Sequence, residues 1–173
     1  MQKINSTTYV FLLTSFLCVS QLAGQSNFAS KENDQKTFEV VIMSYDFPMT
    51  YSTQIILNQK ELKIILNGSV TGNKDSLLYS TQLKSSDTLR LIASINLDNL
   101  KASYRNECID DGSQIDISLT KNGKTKSIQL SNYYHDEIGK IIYLTNSLIP
   151  DKYKVWYDKN SLVAAYKERN QAK

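Results

Sequence analysis

The chain has one histidine, two cysteines, two prolines and six scattered glycines in 173 residues. A structural zinc site needs four nitrogen or sulfur ligands, and this His and Cys count falls short of it. The scattered glycines form no phosphate-cradling loop, and no serine stands in a nucleophile elbow. Basic residues are equally dispersed: 20 Lys+Arg against 17 Asp+Glu give a net charge of +3, without the clustered stripe that marks nucleic-acid binders. Nucleic acid is therefore set aside as a partner. No apolar run reaches the roughly 20 residues that a membrane-spanning helix requires, so no transmembrane segment is expected.

The most informative stretch is the first 25 residues. Lys3 supplies a positive start, Tyr9 to Val19 is uncharged and mostly apolar, and Ala23-Gly24 places small residues where a signal peptidase cuts. That order is the order of a secretory signal peptide. Residues 1–25 are read as a signal peptide, 26–36 as a polar linker and 37–173 as one domain, exported to the periplasm, the cell envelope or the medium. Lys3 is the one charged residue of the leader, so the remainder carries one positive charge less than the whole chain. Cys18 raises the alternative of a lipid-anchored envelope protein. Phe16 and Leu17 before it are larger than lipoprotein cleavage favours, and the ordinary signal fits better. The mature chain keeps Cys108, which has no partner cysteine for a disulfide and reads as a small buried hydrophobe.

About 150 residues make one ordinary domain with a core that needs no staples. Phe38–Tyr45, Ser52–Leu57 and Glu61–Leu66 are rich in β-branched and aromatic residues and read as strands. Leu77–Leu83 is a further strand whose pattern does not exclude helix. Ser85-Ser-Asp87 offers capping oxygens for a helix whose face continues through Leu97 and Leu100 to Ala102. Ile115–Leu119 and Thr125–Leu130 alternate around Asn122-Gly123, the strongest short-range hairpin signal. Ile115, Ile117, Leu119, Ile128 and Leu130 would form the dry face, with Asp116, Ser118, Lys126 and Gln129 on the wet one. Ile138, Ile141, Ile142, Thr145 and Leu148 form a helical stripe over Asp136–Leu148, ended by Pro150. Tyr153–Tyr157 is a short strand or packed extended segment, and Asn160-Ser161 caps a last helix. Grouped strands and helices predict an α+β fold: an antiparallel sheet with an Asn-Gly hairpin, covered on one face by two or three helices.

Candidate sites are few. His135 is read as a capping or surface residue at a helix start, with a base, a metal ligand or a nucleophile partner of Cys108 as the sharper alternatives. Asp110-Asp111-Gly112 reads as a polar turn, since calcium loops alternate their oxygen ligands. No catalytic, cofactor or metal residue is assigned. Tyrosine is abundant, with 11 in the chain. Tyr45 and Tyr51 flank Pro48, while Tyr133, Tyr134, Tyr153, Trp156 and Tyr157 gather late. Aromatic side chains of this kind either ring a sheet core or form an interaction surface, and these last five are the candidate surface.

The stretch from Asn106 to Pro150 combines Cys-Ile-Asp-Asp-Gly, two alternating strands around Asn-Gly, and a closing helix. In element order it resembles the small secreted domains of the emfourin type, which include a metalloprotease inhibitor. The leader is similar to those of small exported proteins of Bacteroidetes-like bacteria. The resemblance implies a binding protein without catalysis, and no inhibitory loop is matched here. Two readings follow: a non-catalytic module that binds a protein or a glycan, or a secreted hydrolase using Asp110, Asp111 or His135. The absence of a catalytic constellation favours the first.

Overall fold

The computed structural model describes residues 37–45, 51–68, 74–109 and 112–170, all within the unit Gln35–Lys173. The leader, Cys18, the 26–36 linker, Pro48, Asp110 and Asp111 lie outside the described residues. In chain order the elements are β1 (Phe38–Tyr45), β2 (Tyr51–Asn58), β3 (Glu61–Gly68), β4 (Ser76–Gln82), α1 (Asp87–Ser94), β5 (Ser103–Arg105), β6 (Gln114–Lys121), β7 (Lys124–Ser131), α2 (Asp136–Asn146) and α3 (Lys159–Asn170), with a 3-10 turn at Asp151–Tyr153 before α3. The fold is α+β.

The strands form one sheet in the order β4-β3-β2-β1-β6-β7-β5. Short connections dictate antiparallel neighbours. Between β2 and β3, Asn58 Oδ1 accepts from the backbone N–H groups of Lys60 and Glu61 at 2.9 and 3.0 Å, and this closes the turn. Between β6 and β7, Asn122 (φ 49°) and Gly123 (φ 77°) both adopt positive φ, the conformation that matches the twist of a two-residue hairpin.

Register places the core on one face. Val40 stands opposite Leu57 and Leu119, and Ile42 opposite Ile55 and Ile117; Ile117 in turn faces Ile128. These residues are buried in one hydrophobic cluster with Leu89 and Ile92 of α1 and Ile138, Ile141 and Ile142 of α2. Each fully buried Ile or Leu contributes about 1.5–3 kcal/mol relative to leaving it in water, so this cluster is the main reason α1 and α2 form where they do. The other face of the hairpin is polar: Ser118 bonds Ser127 and Thr120 bonds Thr125, both at 2.8 Å.

Several expectations need correction. Lys126 is not on the polar face, because it stands opposite Leu119 and shares the even-numbered face of Ile128 and Leu130. Its charge suggested water, but the two-residue period of a strand overrides polarity. The first helix stops at Ser94 instead of reaching Ala102. Asn96 Oδ1 accepts from Asp98 N–H at 2.8 Å, an Asx turn that competes with helix, while Leu97 is still buried from the loop. The sheet is not wholly antiparallel, since β5 joins β7 in parallel. The second helix ends at Asn146, short of Leu148; of the two readings of Tyr153–Tyr157 it is the extended segment that holds, after a turn ending at Tyr153. In α3 the capping oxygen is Asp158 Oδ1, which accepts from Ser161 N–H at 2.8 Å. Cys108 is half-buried, not buried.

Candidate functional site

Two elements build the aromatic region: α2, and the extended segment 154–158 that runs back along it. Asn146, in the last turn of α2, fixes that segment. Its Nδ2 donates to the Val155 carbonyl at 2.9 Å, and its Oδ1 accepts from Val155 N–H at 3.0 Å. Val155 is buried, so both of its backbone groups need such partners. Alternation along the extended chain then turns Trp156 outward, where it is 58% exposed.

The N-terminal end of α2 is equally fixed. His135 is its cap, with Nδ1 accepting from Glu137 N–H at 3.3 Å, and its ring lies 4.9 Å from that of Tyr104. Tyr157 OH accepts from His135 N–H at 2.8 Å and donates to the Tyr133 carbonyl at 3.0 Å. Burial raises the Tyr157 phenol pKa well above its ordinary value, so it stays a neutral donor. Tyr134 stacks on Tyr157 at 5.0 Å, and Tyr133 stacks on Tyr104 at 5.3 Å and meets Tyr166 edge-on at 5.4 Å. Lys159 carries its ammonium 5.3 Å above the Tyr134 ring and bonds Asp136 at 2.7 Å; this bond holds the Asp136 carboxyl below its usual range. Gly139 is required here, because a Cβ would stand 2.3 Å from the Tyr134 hydroxyl.

Tyr133, Tyr134 and Tyr157 are thus brought together, but half-buried and stacked on one another and on neighbouring rings. Tyr153 does not join that stack: its ring faces Tyr79 at 6.2 Å and its hydroxyl donates to the Leu78 carbonyl at 3.1 Å. Trp156 is the candidate that faces water. Tyr143, not singled out from the sequence, is 74% exposed on α2. Its signal was available, since it is an aromatic residue off the Ile138–Ile141–Ile142 stripe. Tyr143 and Trp156 line one open groove with Tyr134, Asn146, Lys154 and Asp158. Residues 152–156, Tyr153 among them, also border a second groove, with Tyr45 and Gln114 at the end of the sheet. Trp156 therefore stands on a ridge between two grooves.

No group of three or more His, Cys, Asp or Glu converges among the described residues. No helix among them is long and apolar enough to cross a membrane. No protein-family model matches the chain, and a search of curated proteins gives no match.

Proposed function

We propose that this chain is an exported, non-catalytic module that binds a protein or glycan partner through the Trp156–Tyr143 groove. The observation that carries the reading is two large exposed rings lining one groove whose backbone is fixed by the Asn146–Val155 bonds. Rings held in place before binding lose little entropy on contact, and aromatic anchors concentrate binding energy. The export half of the reading rests on the order of residues in the leader. The resemblance to emfourin-type domains would make a protein partner a protease.

His135 Nδ1 is engaged as the cap of α2, which supports a structural role for this residue. The experiment is a binding screen against arrayed glycans, against proteins of the producing cell's envelope and medium, and against a metalloprotease. Each hit is repeated with Trp156→Ala, Tyr143→Ala and His135→Ala. A lost anchor is worth about 2 kcal/mol, roughly 30-fold in affinity. The expected result is a loss of that order for the two groove variants and a change within a few-fold for His135→Ala. Turnover of any substrate that vanishes with His135→Ala would reject the binding reading in favour of the hydrolase.

A further inference from the structure

We propose that two copies of this chain pair edge to edge through the second half of β4, about a two-fold axis at Thr81, and so continue the sheet from one copy into the other. Among the described strands β4 ends the sheet on one side and β5 on the other. A bare edge offers unpaired N–H and C=O groups to another strand, and proteins guard it with short length, charge, proline or a bulge. β5 is three residues long and ends on Arg105. β4 carries a guard in its first half. Ile64 stands opposite Tyr79 and Ile65 opposite Leu77, so Leu78 bulges from the ladder, and the Tyr153 hydroxyl donates to its carbonyl at 3.1 Å. From Tyr79 to Leu83 there is no bulge, no proline and no charged residue.

Register decides which groups the open half presents. Leu83 N–H donates to the Lys60 carbonyl at 2.7 Å. Antiparallel strands alternate hydrogen-bonded and non-bonded pairs, so Thr81 and Tyr79 also turn their backbone groups to β3, while Ser80 and Gln82 turn theirs outward. Among the described residues, the Thr81 hydroxyl alone reaches one of these outward groups, the Gln82 carbonyl at 3.4 Å, and leaves it a lone pair. A two-fold axis at Thr81 sets Ser80 of each copy opposite Gln82 of the other, and both pairs can exchange two backbone bonds. The same axis sets Tyr79 opposite Leu83 of the second copy. Both residues pack, partly buried, against the hydrophobic cluster, so the core runs on across the seam. Thr81 meets its own counterpart, and Thr–Thr is a favourable cross-strand pair. Self-pairing sets every charge of a strand against a like charge nearby. This half-strand has none, which suits it to a second copy of itself.

The test is sedimentation equilibrium of the protein recovered from its producing cells, over a wide range of concentration, beside the variants Thr81→Lys, Thr81→Asp and Ser80→Pro. The Ser80 N–H points away from β3, so proline there removes no bond of the β3–β4 ladder, and the melting temperature of each dilute variant checks its fold. The expected result is a mass that rises with concentration toward twice that of one chain. Association should be weaker by about tenfold or more in Thr81→Lys and in Thr81→Asp, because like charges brought together across an interface oppose it. Ser80→Pro should weaken it as well, through the lost backbone bonds. An equimolar mixture of Thr81→Lys and Thr81→Asp should regain the parental association, since opposite charges then meet on the axis. A parent that stays monomeric, a dimer that the variants retain, or weakened variants that mixing does not rescue would overturn the proposal.

Discussion

Asn146 holds Val155 at both backbone polar groups, donating to its carbonyl at 2.9 Å and accepting from its N–H at 3.0 Å. One side chain thereby couples the last turn of α2 to the segment that presents Trp156. Asn146→Ala removes both bonds and leaves buried backbone groups without partners. The expected cost is about 1–3 kcal/mol in denaturant unfolding. Trp156 is the single tryptophan of the chain, so its fluorescence anisotropy reports the segment directly and should fall in the variant. Unchanged stability and anisotropy would show that these bonds do not fix the groove.

The hairpin tip isolates a backbone effect. A Cβ at Gly123 would meet nothing within 4 Å, yet φ there is +77°. Gly123→Val therefore introduces no clash and should still destabilise, by about 1–3 kcal/mol, because a β-branched residue resists that conformation. Thermal unfolding measures it, and an unshifted melting temperature would contradict the turn geometry.

Much of the sheet was legible because strands with one dry face advertise a period of two. β1 and the β6–β7 hairpin are visible in Val40, Ile42, Ile115, Ile117 and Leu119, and Asn-Gly carries its own turn geometry. β5 was not legible: Ser103-Tyr-Arg105 has no pattern, and its pairing depends on β7 arriving beside it. The overlong first helix has a related cause, since Leu97 and Leu100 keep helical spacing while Asn96 turns the backbone away. For the aromatic region, nearness in sequence brought out Tyr133, Tyr134 and Tyr157 but not whether their rings face water. It also grouped with them Tyr153, whose ring packs on Tyr79 outside the stack but which shares the second groove with Trp156.

Alkaline pH tests the sheet end. Burial, with the hydrogen bond and charge of Asp116 adding to it, pushes the Tyr45 phenol up to about 12 from an ordinary value of 10.0. The folded state then holds the phenolic proton more tightly than the unfolded state. Stability from this group is complete below pH 10 and is lost as pH rises through 12. Tyr157, also shifted upward by burial, acts in the same direction. Tyr45→Phe should reduce the slope of melting temperature against pH between 10 and 12 without abolishing it. An identical slope would show that Tyr45 does not titrate late.

Processing has a direct readout. If the chain is exported as proposed, mass spectrometry of the protein recovered outside the cytoplasm should find its N-terminus near residues 24–26. A diacylated Cys18 at the N-terminus would instead make the protein an anchored one and place the groove at a membrane surface.

Replacing a glycine inside a helix by alanine ordinarily stabilises by about 1 kcal/mol, and Gly139 lies within α2. Here the new Cβ would sit 2.3 Å from the Tyr134 hydroxyl and 2.8 Å from its ring carbon. Tyr134 cannot swing aside freely, because its ring is stacked on Tyr157, whose hydroxyl is bonded to both His135 and Tyr133. Gly139→Ala should therefore destabilise the otherwise native protein. In a Tyr134→Ala background the obstruction is gone, and the same substitution should be neutral or stabilising. The two effects differ in sign, so a double-mutant cycle separates them from any general loss of packing. If Gly139→Ala costs the same in both backgrounds, Tyr134 is not held against α2, and the stacked support beneath the groove is absent.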